Sequence, residues 1–331
     1  MQRAPRGLQC TEDGGDKQSR GPLENNIYEH SLLTTNISTA TPTPNPSQLM
    51  SRTAKASEFY SRFFTEEQTR KFLHVQKNTD ALVSGSFVLS WLSGGSFVPN
   101  DMDIFVSRKH ASIIARQIVE SNYHFDPMVT IKVNGRKISV EQPSELMSAV
   151  EKELNSWNPN TGWTRDRYTN SNIAGVFNFV NTSGRIIQVV ATRCEPVDAI
   201  LAFHSTVVMN FATCDEVVCL FPNNTLERKR NLQLLDSTTF GVSTALQKYE
   251  SRGWTTLYTI SAWEAINGDE WNMKYRWIGD KHCEVVKFEE SAEDGEKADV
   301  GEQFLKFWRL DFIEERTTRL TVMAWDRQGP E

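Results

Sequence analysis

Asp101 and Asp103 stand two residues apart at the head of an apolar run, Ile104-Phe105-Val106. In a strand, residues i and i+2 point to the same face, so this spacing sets two carboxylates side by side. Carboxylates so placed repel each other unless a cation sits between them. A divalent metal suits such oxygens; Mg²⁺ takes one or two protein carboxylates together with substrate phosphates. Upstream, apolar Leu82-Val83 leads into Ser84-Gly85-Ser86, and the run Phe87 to Leu92 follows. A glycine turn that opens a helix leaves backbone N–H groups free, which makes a phosphate site. Metal-binding carboxylates next to phosphate-binding amides are the parts of a nucleotide site. The same residues also have a structural reading. Asn100-Asp101 is then a solvated turn, Asp103 lies on an edge strand, and Gly-Ser is an ordinary turn and cap with Ser84 as a rival N-cap.

Taken together, these residues carry a resemblance. The order apolar residue, Gly-Ser, helix, then Asp-x-Asp on the next strand resembles the signature of the nucleotidyltransferase superfamily, with its polymerase-beta-like fold. Here it reads Val83, Gly85-Ser86 and Asp101-Met102-Asp103, with a loop between them slightly longer than the pattern. The phrases GSFVLSWL, PNDMDIFV, IQVV and ILAFHSTVVMNF resemble a group of uncharacterised fungal proteins of that fold, over roughly Phe59 to Cys283. The resemblance implies an α+β fold, a nucleotidyltransferase-like mixed sheet with flanking helices. It further implies Mg²⁺ (or Mn²⁺) on Asp101 and Asp103, the triphosphate of an NTP on Gly85 and Ser86, and transfer of an NMP group to an acceptor.

The resemblance also implies a third carboxylate on a neighbouring strand, and the matching position is Gln188. An amide ligates or hydrogen-bonds, but it does not balance metal charge and does not take a proton from an acceptor hydroxyl. Either Asp101 and Asp103 suffice, or another acid moves in, or the chain is a degenerate member that binds nucleotide or contacts a protein. Glu195 and Asp198, just after this strand, are the substitute acids, although acids are favoured at a helix N-terminus in any case. Arg185 is the candidate phosphate donor, with Arg193 at the other end of the strand; either reads equally as a solvated strand-end arginine. His204-Ser205-Thr206 either faces the nucleotide or is a set of satisfied buried polar groups.

These residues need a scaffold, and a chain of 331 residues with 39% hydrophobic content is long enough for one large domain or two modest ones. The formal net charge of -6 argues against a general polyanion binder, so nucleic acid is not favoured as a partner. Five cysteines without framework spacing, and no CxxC, point to a reduced intracellular protein, cytoplasmic or nuclear, without a zinc site. No apolar run is long enough to span a bilayer, and no signal-peptide core opens the chain.

Residues 1–56, with TPTPNPS, have a disordered composition. The core is expected over 57–222. Thr65-Glu66-Glu67-Gln68 reads as a capping box opening a helix to about Asn78. Ser107 reads as the cap of a helix to Glu120. Asn134-Gly135 sets a hairpin within 129–140. A helix follows over 144–157, then a polar loop over 158–172 with Arg165 and Arg167, then a second hairpin pairing 173–180 with 185–192. Val197 to Ala212 reads as a buried helix after Pro196, and 225–253 as two helices ending at Gly253. The remainder of 223–331 is expected to be a helical and β-rich appendage. It carries six tail tryptophans (Trp254, Trp263, Trp271, Trp277, Trp308 and Trp325), which read as core, and an acidic loop over 289–302.

Overall fold

A computed structural model describes residues 53–126, the backbone of 132–133 and 136–137, then 172–236, 241–289, 304, 306–313 and 317–324. The expected turn Asn134-Gly135, the helix over 144–157, Arg165, Arg167, nearly all of the acidic loop and Trp325 lie outside the described residues.

The helices follow from local signals where those signals are strong. A two-residue strand β1 (Thr53–Ala54) precedes α1 (Ala56–Tyr60). Thr65 opens α2 (Glu66–Thr79) with both bonds of a capping box: its hydroxyl accepts from the Gln68 N–H, and the Gln68 side chain accepts from the Thr65 N–H. Asp80 ends α2 in the left-handed region, φ 51°. Next come β2 (Leu82–Ser84), α3 (Gly85–Leu92) and β3 (Asp101–Ser107). Ser107 makes no side-chain cap; a 3₁₀ turn over Arg108–His110 intervenes before α4 (Ala111–Glu120). Strands β4 (His124–Phe125), β5 (Lys132–Val133) and β6 (Arg136–Lys137) follow, and β5 pairs β6 antiparallel around the expected turn. The second hairpin forms as the alternation predicts, from β7 (Ile173–Val180) and β8 (Ile186–Thr192).

The stretch after Pro196 departs from expectation. In place of one helix to Ala212 there is a short α5 (Pro196–Leu201), a 3₁₀ turn over Thr206–Val208, and β9 (Asn210–Ala212). The run is apolar throughout, so its periodicity does not separate helix from buried strand, and β-branched Thr206, Val207 and Val208 favour leaving the helix. After β10 (Glu216–Cys219), the first of the two expected helices is instead a π-helical turn, Asn223–Glu227, followed by β11 (Arg230–Leu232). The second is present as α6 (Val242–Glu250), and the chain turns at Gly253 with φ +96°. Beyond it lie β12 (Thr255–Leu257), α7 (Ala262–Asn267), β13 (Arg276–Trp277), β14 (Glu284–Phe288), β15 (Lys306–Ile313) and β16 (Thr317–Ala324).

The fold is α+β, built on a nine-stranded mixed sheet in the order β1-β14-β10-β9-β2-β3-β8-β7-β4. The β3–β8 and β1–β14 ladders are parallel, and the others are antiparallel. The C-terminal region is part of this sheet, since β14 lies between β1 and β10. Each face packs a separate core. Val83, Met102, Ile104, Val106, Ile187 and Val189 meet α2, α3 and α4 on one side. Leu82, Phe105, Val190 and Phe211 meet α5 and the tryptophans Trp271 and Trp308 on the other. Strand alternation produces both cores at once. Burying each of these large side chains stabilises the fold by roughly 1.5–3 kcal/mol.

Candidate functional site

Asp101 and Asp103 share a face of β3 while Met102 and Ile104 between and after them are fully buried on the other. Across the sheet Asp103 is in register with Ser84 of β2 and with Gln188 of β8, and Gln188 is in register with Asn178 of β7. Cross-strand partners point the same way, so Ser84, Asp103, Gln188 and Asn178 form a polar row, with Asp101 beside it. Further along the same face the side chains turn apolar, with Leu82, Phe105 and Val190. The position matched to the third carboxylate is therefore next to Asp103, and it holds an amide.

The turn after β2 meets this row directly. Gly85 has φ +77°, a conformation that L residues rarely adopt, and a Cβ built there would overlap the Asp103 carboxylate oxygen Oδ2. The backbone at the start of α3 is thus pressed against Asp103. Ser86, buried, donates its hydroxyl to Asp101 Oδ1 at 3.5 Å. Ser84 does not cap α3; its hydroxyl donates to the Asn210 carbonyl at 2.6 Å.

Burial first and then Asp101 push the Asp103 carboxyl up to about 8, with Lys248 opposing both. Lys248 comes from α6, with its Nζ 5.6 Å from the ring of its neighbour Tyr249. The Tyr249 phenol is raised by burial and then by Asp103, with Arg252 opposing and Asp101 adding to the rise. His204 stacks on Tyr249 at 6.4 Å and is held down to about 4, first by burial and then by Lys248. Its Nε2 has no hydrogen-bond partner among the described residues. Lys248 of α6 thus acts electrostatically on Asp103, and both aspartates act on Tyr249 of the same helix.

The other candidates lie elsewhere. Glu195 and Asp198 both hold Lys306, at 3.1 and 3.0 Å. They follow Thr192, which ends β8 four residues beyond Gln188, about 13 Å along the strand. Arg193, at the same far end, is lowered by burial and by Arg108. Arg185 stands three residues before Gln188, just ahead of β8, and its charge acts on Arg62 and Tyr123. Among the described residues no group of three or more His, Cys, Asp or Glu side chains could hold a metal. Cys194, Cys214, Cys219 and Cys283 are free thiols.

The sequence reading missed Asn178, Lys248 and Tyr249. Asn178 had a signal, as a polar residue between Phe177 and Phe179 in an alternating strand. Lys248 had none, because only the tertiary fold brings its charge to bear on Asp103.

No family model matches the chain, and no curated protein matches it. Among solved structures it is similar to "Thermotoga maritima CCA-adding enzyme complexed with tRNA_CCA", at 13% identity and a TM-score of 0.33, over 62% of this chain and 43% of that one. A CCA-adding enzyme in apo form I gives the same 13%, 0.33, 62% and 43%. The chain spans less than half the length of the enzymes it matches, and at this similarity their activity does not pass to it. Fold and site together define an α+β protein with a large mixed sheet and flanking helices. No described helix is long and apolar enough to cross a membrane.

Proposed function

We propose that the protein is a nucleotidyltransferase that moves an NMP group from an NTP to an acceptor, with Mg²⁺ or Mn²⁺ held by Asp101 and Asp103. The observation that carries this reading is the convergence of Asp101, Asp103 and the Gly85 turn on one sheet face, with the charge of Lys248 acting on Asp103. The donor set fits a hard cation: two carboxylates, the Gln188 amide oxygen and the Ser86 hydroxyl are all oxygen donors. Bound there, the metal would neutralise charge on the transferring phosphoryl group. The core over 57–222 supplies the motif, and 223–331 supplies Lys248.

The chain's own groups divide the remaining work. Backbone N–H groups at Gly85 and Ser86, at the N-terminus of α3, bind triphosphate oxygens. Lys248 offers a cation to the same phosphates. Ser86 orients Asp101. Gln188 hydrogen-bonds beside Asp103 and takes no proton, so the proton of an acceptor hydroxyl goes to solvent or to phosphate oxygen. Five cysteines without framework spacing support a cytoplasmic or nuclear setting.

Gln188 supports a second reading, a nucleotide binder that has lost catalysis. Glu195 and Asp198 do not rescue the first reading, because both are engaged with Lys306. The test is thermal unfolding with Mg²⁺ and each NTP, beside the Asp101→Asn/Asp103→Asn variant, followed by a pyrophosphate-release assay. A ligand at a hundredfold excess over Kd stabilises by about 2.7 kcal/mol. A shift in the wild type alone, with pyrophosphate released, supports transfer. The same shift without pyrophosphate supports the binder, and no shift with any NTP removes both.

A further inference from the structure

A cavity of about 230 Å³ opens between the π-helical turn Asn223–Glu227 and α7. Neither aspartate nor any other residue of the nucleotide site lines it. Single π-helical turns are rare and occur often at functional sites.

The central charges of this cavity are already committed to one another. Arg230 donates to both Glu264 oxygens, at 2.7 and 2.9 Å, and lies 4.6 Å over the Trp271 ring. Glu270 accepts from the Asn223 and Asn224 N–H groups at 2.6 and 2.8 Å and from Asn224 Nδ2 at 2.9 Å. What remains to meet a ligand is a mixed set: the amides of Asn223 and Asn267, Arg228 and Asp269 with opposite charges, and the indole of Trp263. Trp263 is 70% exposed. Trp271 is fully buried, and its Nε1 donates to no acceptor among the described residues. Gly268 keeps one wall bare, since a Cβ there would overlap the Glu264 carbonyl and lie 2.8 Å from that of Trp271.

This set excludes several ligand classes. A phosphate would face three carboxylates, Glu264, Asp269 and Glu270, with Arg228 as the one cation not already paired. A metal would have to break the Arg230–Glu264 pair or the bonds to Glu270. A purely apolar ligand would strand the amides. An unused donor (Arg228) and unused acceptors (Asp269, the Asn267 side-chain oxygen) together match hydroxyl groups, each of which donates and accepts at once. An indole supplies a flat apolar face beside that polar edge.

We propose that this cavity binds one neutral hydroxyl-rich ring, a monosaccharide unit, stacked on Trp263 with its hydroxyls meeting Asn223, Arg228 and Asp269. The cavity is smaller than the 300–1,000 Å³ usual for drug-sized ligands, which limits the occupant to about one ring. This site is independent of the nucleotide reading.

Titration calorimetry on the full chain tests it, with glucose, mannose and N-acetylglucosamine as probes and adenosine as the planar competitor. Saturable binding of at least one sugar is expected, weakened about tenfold or more in Trp263→Ala and recovered in Trp263→Phe, which keeps a stacking ring. Binding is expected to be unchanged in Asp101→Asn/Asp103→Asn, which separates this site from the nucleotide site. The proposal is overturned if none of the three sugars saturates, if Trp263→Ala binds as the wild type does, or if adenosine alone binds.

Discussion

Arg276 and Asp280 are both buried, and they are fully answered. Arg276 donates to Asp280 Oδ1 at 2.9 Å, to the Leu220 carbonyl at 3.0 Å and to the Glu270 carbonyl at 3.2 Å, and its guanidinium lies 5.5 and 5.3 Å over the rings of Phe221 and Trp308. Burial alone would raise the Asp280 carboxyl, but the bonds from Arg276 outweigh it and hold it below its ordinary value. At Asp103 the balance goes the other way: burial and Asp101 push the carboxyl up, and Lys248 does not offset them. One group of charges completes itself within the protein, while the other is left needing a cation. That difference separates a completed structural ion pair from the pair of carboxylates to which we assign a cation.

Breaking the completed pair has the largest expected effect. Arg276→Leu leaves Asp280 buried without a partner and is expected to cost about 3–5 kcal/mol, read by chemical denaturation. Replacing both residues by apolar ones of similar volume is expected to recover most of that loss. A double variant as unstable as the single one would mean that the guanidinium's bonds to Leu220 and Glu270, rather than the pairing, hold this corner.

His204 gives the next effect, through pH. Its folded value of about 4 lies below the ordinary 6.5, so between these two the unfolded chain binds more protons than the folded one. Stability contributed by the neutral ring is therefore full above about 6.5 and is lost as pH falls toward 4. The shift corresponds to about 3 kcal/mol. Lys248 is the charged group facing it, and Tyr249 stacks on it. Urea unfolding across this range should show the loss in wild type and a flatter profile in His204→Gln.

These contrasts also mark what the sequence could show. Asp101, Asp103, Gly85 and Ser86 were legible because strand alternation and a glycine turn are local rules, and the register placed Gln188 beside Asp103 as the motif order required. The capping box at Thr65 and the hairpin of β7 and β8 were legible for the same reason. Lys248 was not, since its influence on Asp103 joins residues far apart in the chain and follows no local rule. The strand β9 hid inside an apolar run, and β14 gave no sign that a segment near Glu284 would enter the central sheet.

Gly85→Ala tests how closely the turn is fitted to the aspartates. The new methyl group overlaps Asp103 Oδ2 in a backbone conformation costly for any L residue. A loss of about 1–3 kcal/mol is expected, together with loss of the NTP-dependent thermal shift. An Ala variant of unchanged stability would show that the turn relaxes freely and does not cradle phosphate.

The smallest effects carry opposite signs and bear most directly on the comparison. In chelator and at a pH above about 8, where Asp103 is ionised, Asp103→Asn removes one of two repelling charges and is expected to stabilise by about 1 kcal/mol, or roughly 2–4 °C in Tm. The same substitution at a completed pair would destabilise. Gln188→Glu does the reverse: a third carboxylate in register with Asp103 adds repulsion, so the chelated variant should melt lower by a similar amount. Adding Mg²⁺ should reverse the order, leaving Gln188→Glu shifted upward the most and Asp103→Asn hardly at all. If Mg²⁺ moves all three proteins alike, the ion is acting elsewhere on the surface and Asp101 and Asp103 are not its ligands. If the expected order holds and Gln188→Glu also releases pyrophosphate faster than wild type, the amide at position 188 is what limits transfer.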